Sequence, residues 1–302
     1  MSHDDLQAMP LAAGEVLESL YEHRLLSTQQ IRRMHTPGSG IRWTREILTG
    51  LRRRGLVSFL RVADGGGCVY FLTAEGTQAV ELIATRALGR RKLITPAQAA
   101  GPLRAHTLAV NETGIAFMAA ARERGDEFGA LAWQHEIAHP TGARRNELLI
   151  ADALFTYLEY GPEGKLIFHC RLLELDRATL PTEVLAAKLA RYACLYHYTR
   201  AGQKAPAWRA RYTVFPGVIC VLAGEPQPVL DRRAQSVLAL CREDPELTRT
   251  PEVEISICLL CDLTAQGPFA AIWQRPGDQR HLDWLGQPPR DTTHDSSERY
   301  RE

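Results

Sequence analysis

The stretch Ile150-Ala-Asp-Ala-Leu-Phe155, the turn Gly161-Pro-Glu-Gly164 and the run Leu166-Ile-Phe-His-Cys-Arg-Leu-Leu-Glu-Leu-Asp176 decide how the larger part of this chain is read. Runs rich in Leu, Ile and Phe on either side of a Gly/Pro turn predict a β-hairpin. Side chains alternate along a strand, so Glu174 and Asp176 share a face with Phe168, Cys170 and Leu172, the side expected to pack. Carboxylates at the end of an apolar face are costly to bury without a partner. A third, Asp152, sits near the start of the preceding strand, and a hairpin brings the start of one strand close to the end of the next. The helix expected from Pro181 to His197 carries Val184, Lys188 and Tyr192 four residues apart, on one stripe.

Outward from the hairpin, His106 to Arg124 has helical spacing and Leu131 to His139 reads as a strand. Tyr212–Leu222 and Val253–Leu263 are expected strands, with a helix from Asp231 to Arg242 between them. This α-β-β-β-α-β-α-β order predicts an α/β domain (α+β for the whole chain), a mixed sheet with helices on both faces. The segment His281-Leu-Asp-Trp-Leu-Gly286 is expected to dock back onto it. Gln287 to Glu302 is polar and reads as a disordered tail, as do residues 1–9.

Toward the N-terminus, Val16, Leu17, Leu20, Tyr21 and Leu25 recur at helical spacing. Ser27 and Thr28 offer an N-cap to a second helix with Ile31 and Met34 inward. Ile41 to Arg54 predicts a third, with Ile47, Leu48 and Leu51 inward and Arg42, Arg45, Arg52 and Arg53 outward, closed by Gly55. Leu56–Val62 and Cys68–Thr73 alternate like strands around Asp64-Gly-Gly-Gly67. Three short helices and a hairpin resemble a winged helix-turn-helix over residues 10–88, and Tyr70-Phe-Leu-Thr-Ala-Glu-Gly76 is similar to the exit of its wing. In that fold the third helix enters the major groove. The resemblance therefore implies that Arg42, Trp43, Thr44 and Arg45 face bases or phosphates, with Arg52 and Arg53 beside them and Arg61 on the wing. A solvated basic face is the plainer alternative. A helix from Thr77 to Leu88 offers a surface for a homodimer, and residues 89–104, with Arg90-Arg-Lys92, read as a linker to the domain at 105–286.

Asp152 on one strand, Glu174 on the next and a helix behind them resemble the PD-(D/E)xK nuclease superfamily. That pattern expects a lysine where this chain has Asp176, and Lys188 on the following helix is the substitute it implies. The string Glu174-Leu-Asp-Arg-Ala-Thr179, with Lys188 and Tyr192 behind it, also resembles the replication-relaxation protein family, which joins a winged helix to a nuclease-like domain and is associated with plasmids and mobile elements. The resemblance implies that Asp152, Glu174 and Asp176 bind Mg²⁺ or Mn²⁺ and that Lys188 completes a centre that nicks DNA, with Glu112 or Glu136 nearby. Its partners would be double-stranded DNA and replication or transfer proteins. The missing strand lysine keeps a second reading open: a non-catalytic DNA-binding regulator or replication accessory factor with a degenerate nuclease domain, in which Asp176 pairs with Arg177 or Lys188.

Other chemistries have weaker support. Tyr192, Tyr196 and Tyr198 invite a covalent tyrosine–DNA link, but aromatics on an amphipathic helix are more commonly core. Cys258 and Cys261 have metal-site spacing inside an apolar strand, where buried thiols are the better account. His135 and His139 lack a zinc-helix pattern, and neither a phosphate loop nor a dinucleotide fingerprint is present. Seven cysteines without regular spacing fit a reducing cytosol. No run reaches a membrane span. Net charge is +1, yet residues 1–104 carry 14 Lys/Arg against 9 Asp/Glu while the remainder carries 22 against 26. That split suggests an N-terminal module that meets a polyanion.

Overall fold

The structure is a computed structural model that describes residues 9–62, 67–83 and 93–288. The tip of the first hairpin, the end of the helix expected to reach Leu88, Arg90-Arg-Lys92 and the polar C-terminal tail lie outside the described residues. The chain forms two compact units, Met1–Ala138 with Ile150–Leu175 and His139–Leu149 with Asp176–Glu302. It is a mixed α/β protein. One three-stranded sheet and one five-stranded sheet carry its strands.

In the first unit, α1 (Leu11–His23), α2 (Thr28–His35) and α3 (Ile41–Arg53) precede a hairpin of β2 (Val57–Arg61) and β3 (Cys68–Leu72). A short strand β1 (Leu25–Ser27) joins the other edge of β3, with Leu25 opposite Phe71, so the sheet order is β1-β3-β2. At three residues β1 is too short to show a period, so nothing in the sequence announces it. Ser27 ends it and caps α2 in a reciprocal box with Gln30. Ile47, Leu48 and Leu51 of α3 are buried as expected. Gly55 follows in the left-handed conformation, φ 73°, which favours a residue without Cβ.

Helix α4 (Ala74–Ile83) follows β3. Inside the expected linker the chain forms another short helix, α5 (Pro96–Ala100), because Thr95 and Gln98 cap each other and Pro96 is preset for the first turn. Ala99 packs with Leu25, Val69 and Phe71 in one cluster.

The long helix α6 (Pro102–Arg124) then receives the N-terminal elements. Arg33 of α2 pairs with Glu112, and the Gln30 side chain donates to the Leu108 carbonyl at 2.8 Å. At the centre is Asn111, fully buried. Its amide donates to the Leu25 carbonyl at 2.9 Å, and its oxygen lies 3.0 Å from His135 Nε2 and 3.3 Å from Trp133 Nε1. His23 stacks on the Trp133 indole with centroids 4.1 Å apart. Gly114 is the helix residue facing that indole, and a Cβ there would stand 2.6 Å from it.

His35, the last residue of α2, is buried with 4% of its side chain exposed, and its Nε2 has no hydrogen-bond partner among the described residues. Burial, reinforced by the Arg122 guanidinium, pushes its pKa down to about 4. The unfolded chain therefore takes up a proton near pH 6.5 that the folded chain refuses until about pH 4. His35 contributes no penalty above pH 6.5, and stability falls as pH drops through that window, by an amount on the order of 3 kcal/mol. Denaturation midpoints measured from pH 7 to 4 should fall in wild type and fall less in His35→Leu; parallel slopes would contradict the assignment.

Strands β4 (Trp133–Pro140), β5 (Leu148–Tyr160) and β6 (Leu166–Asp176) begin the larger sheet, which continues with β7 (Gly217–Leu222) and β8 (Ile255–Leu259) in the order β4-β5-β6-β7-β8. The expected hairpin is β5 antiparallel to β6, in register from Ala153 opposite Leu173 to Tyr160 opposite Leu166. Packing on β6 starts only at Leu172. Phe168, expected inside, is 65% exposed because this outer half of the hairpin is uncovered on that face.

In the second unit, α7 (Thr182–His197) buries Leu185, Leu189 and Tyr192, and α8 (Gln227–Glu243) connects β7 to its parallel partner β8. A one-turn helix, α9 (Pro245–Thr248), intervenes, capped by the Asp244 carboxylate. Both strands are buried along their whole length, as parallel strands usually are. The expected strand past Leu259 turns instead into α10 (Leu260–Gln266), placing Cys258 in the core and Cys261 on the surface. Burial pushes the Cys258 thiol well above its usual range. The segment around Trp284 docks as expected: Gln274 exchanges backbone hydrogen bonds with Ile257, Leu282 does so with Trp273, and Trp284 is 1% exposed. Among the described residues no helix is long and apolar enough to cross a membrane.

Candidate functional site

Two regions carry the residues singled out from the sequence. The first is α3, whose opening turn holds no acid. Positions three and four apart share a helix face, so Thr44 falls in line with Ile47, Leu48 and Leu51. It is 1% exposed and its hydroxyl lies 2.8 Å from that of Thr36. Thr44 therefore does not face a ligand, a correction to the sequence reading that follows from helix period alone.

Its neighbours point outward. Trp43 is 46% exposed, unusual for an indole. Arg42 pairs with Glu46 at 2.9 Å across one turn, and the Arg52 guanidinium lies 3.9 Å from the centre of the Phe59 ring on β2. Arg45, Arg53 and Arg61 are exposed. Arg45 also lines a cleft of about 470 Å³ with Thr49 and Ile41, facing Ser27, Thr28 and Gln29 at the start of α2 and Gly67, Cys68 and Tyr70 at the start of β3. A cation, hydroxyls and the first turn of a helix in one cleft form a surface that favours an anion.

The second region is the pair of strands β5 and β6. The printed register ends at Ala153 opposite Leu173, and one further step would set Asp152 opposite Glu174. Their surroundings differ from the expectation. Asp152 Oδ2 accepts the Leu175 backbone N–H at 2.7 Å, and Oδ1 lies 3.3 Å from His106 Nε2 on α6. Glu174 is 1% exposed.

Asp176 begins the other unit. The Ala223 N–H donates to its carbonyl at 2.8 Å, which joins the end of β6 to the end of β7. Gly224 stands so close to the Arg177 carbonyl that a Cβ would meet it at 2.7 Å. Both carboxylate oxygens of Asp176 accept from Arg233 on α8: the Nε at 2.5 Å and a terminal nitrogen at 3.1 Å. Arg233 also donates to the Leu180 carbonyl at 2.8 Å. The sequence reading proposed Arg177 or Lys188 for this partner; the cation comes from a helix 57 residues away. Lys188 is half-buried on α7.

The remaining candidates have other duties. Glu112 holds Arg33, and Glu136 takes a bidentate interaction from Arg24, so neither serves the acidic pair. Both Arg24 and Glu136 have positive φ, 68° and 56°. Tyr192 is fully buried, and Tyr196 packs against Trp208 and Phe215, which fits the core reading of these aromatics. His139 lies 2.8 Å from the Tyr212 hydroxyl.

Among the described residues no three His, Cys, Asp or Glu side chains are grouped to hold a cation. Asp152 accepts one backbone N–H and lies beside His106, and Asp176 is held by a guanidinium, so two of the three acids expected to bind a divalent metal already have protein partners. The site residues that sequence reasoning missed are His106 and Arg233. The signal available was the rule that a buried acid has a partner, but the rule does not say which.

No curated protein and no solved structure matches the chain. The replication-relaxation family matches residues 17–208, from α1 to just past α7. That is more than half of the 302 residues and takes in both α3 and the acidic strands, so the chain belongs to the replication-relaxation family.

Proposed function

We propose that this chain is a cytosolic DNA-binding protein serving replication or relaxation of plasmid or other mobile-element DNA, and that residues 11–72 act as a winged helix-turn-helix. The observation that carries the reading is the division of α3: Ile47, Leu48 and Leu51 are buried while Arg42, Trp43, Arg45 and Arg53 stand outside. A helix with that face, backed by a three-stranded sheet, suits the major groove. Arg45 and Arg53, without an acidic partner among the described residues, are the expected phosphate or base contacts, and Trp43 adds apolar surface against a thymine methyl or sugar. The cleft at Arg45 suits the adjoining backbone. Arg52, held on Phe59, and Arg42, shared with Glu46, supply field rather than primary contacts.

The nuclease-like part supports a different role from cleavage. Asp152 accepts a backbone N–H and Asp176 is paired with Arg233, so we read these two acids as fold-holding groups and assign no hydrolytic step to them. Fluorescence anisotropy on duplex DNA tests the DNA reading. Arg45→Ala/Arg53→Ala should weaken binding at least ten-fold and lower the slope of log affinity against log salt by about 2. Unchanged affinity would remove α3 from the interface.

A further inference from the structure

Residues 105–302 carry 22 Lys/Arg against 26 Asp/Glu, yet one part of that stretch has no acid at all. From Val184 to Gly224 there are six Lys and Arg residues and not one Asp or Glu. With 35 acids in 302 residues, a stretch of that length would ordinarily hold four or five. Four of the six cations, Arg200, Lys204, Arg209 and Arg211, fall within twelve residues between α7 and β7, and all four are exposed.

This segment is a fixed platform. The Ala207 N–H donates to the Tyr198 carbonyl at 2.8 Å and closes the loop that bears Arg200 and Lys204. Trp208 is 5% exposed and its Nε1 donates to the Tyr196 carbonyl at 3.0 Å. Its ring packs on Tyr196 and Phe215, and Tyr212 reaches His139. Buried aromatics thus alternate with exposed cations: Trp208, then Arg209; Arg211, then Tyr212. Arg209 lies over the Trp208 ring at 4.8 Å, which orders its guanidinium while leaving its N–H groups outward.

Several exposed arginines elsewhere in the chain are charge-paired. Arg42, Arg144, Arg242, Arg249 and Arg280 each have an acid within 4 Å. Among the described residues none of the four cations of this segment has one. Uncompensated cations with no local acid to repel a phosphate mark a surface for a polyanion.

We propose that the 200–211 segment is a second, sequence-independent binding surface for the phosphate backbone of duplex DNA. It rests on the DNA-binding reading given above and adds to it a patch remote in sequence from α3. The test is a salt titration of the full chain binding a labelled duplex of about 40 base pairs, with folding of every variant checked by circular dichroism. Replacing Arg200, Lys204, Arg209 and Arg211 by alanine should weaken binding ten-fold or more on specific and random duplexes alike. It should also lower the salt slope by roughly 0.9 for each phosphate no longer neutralised, about 3.6 if each of the four cations meets one. Replacing the three arginines by lysine should keep the slope. Wild-type slope and affinity in the alanine variant would overturn the proposal while leaving α3 as the reader. Failure of the wild-type protein to bind either duplex at any salt would overturn both.

Discussion

Arg233→Ala is expected to destabilise the protein by about 3 to 5 kcal/mol, because it leaves the Asp176 carboxylate buried without a counterion. The pair is 10% and 9% exposed, so water does little to screen it or to replace the missing donors. The penalty includes the hydrogen bond from Arg233 to the Leu180 carbonyl, which ties α8 to the start of α7. A second variant identifies the cause. A buried ion pair can be exchanged for apolar groups of similar size at little cost, so Asp176→Leu/Arg233→Met should recover most of the stability forfeited by the single change. Urea denaturation of wild type, single and double variants checks this. If Arg233→Ala costs less than about 1 kcal/mol, the pair behaves as a surface bridge and Asp176 is free to serve another ligand.

The other large effect is expected in the first unit. Asn111→Ala removes one side chain and strands two groups, the Leu25 carbonyl and the Trp133 indole N–H, and takes one partner from the His135 ring nitrogen, which keeps His23 at 3.3 Å. Each unmet buried group costs about 1 to 3 kcal/mol, so a total of at least about 2 kcal/mol is expected. Because the stranded groups sit on β1 and β4, the variant should also loosen amide protection at Leu25 and Leu26. Hydrogen exchange measures that, and unchanged protection with a small drop in stability would show that the stranded groups find other partners.

Asn111 and Arg233 also mark where the sequence could and could not be read. Periodicity recovered most helices and strands, since the apolar positions of α1, α3, α6 and the β5–β6 hairpin repeat at the helix or strand period. The antiparallel register of β5 on β6 follows from a hairpin with a short turn. Partners for buried polar groups were not legible. Asn111, His23 and His135 are scattered over more than a hundred positions, and Arg233 lies 57 residues from Asp176. Short elements escaped for a different reason. Strand β1, held by β3, and α5, held by its cap, have too few residues for a period to appear. Thr44 was placed outward by its neighbours in a basic run, although the helix period puts it among leucines.

Local chemistry weighs against the metal expectation. The spacing of Asp152, Glu174 and Asp176 fits a nuclease pattern. Spacing alone does not reveal that a histidine and a backbone N–H already engage the first of these acids and an arginine the last. The substitution of Asp176 for a strand lysine is the one feature of the sequence that pointed this way.

The most direct test of a DNA reader with a fold-holding acidic region is a single gel of supercoiled plasmid incubated with the full chain in Mg²⁺, in Mn²⁺ and in EDTA. The account predicts retarded plasmid of equal extent in all three lanes, with no open circles above the protein-free control. Open circles that form with either metal, vanish in EDTA and vanish in Glu174→Ala would contradict it.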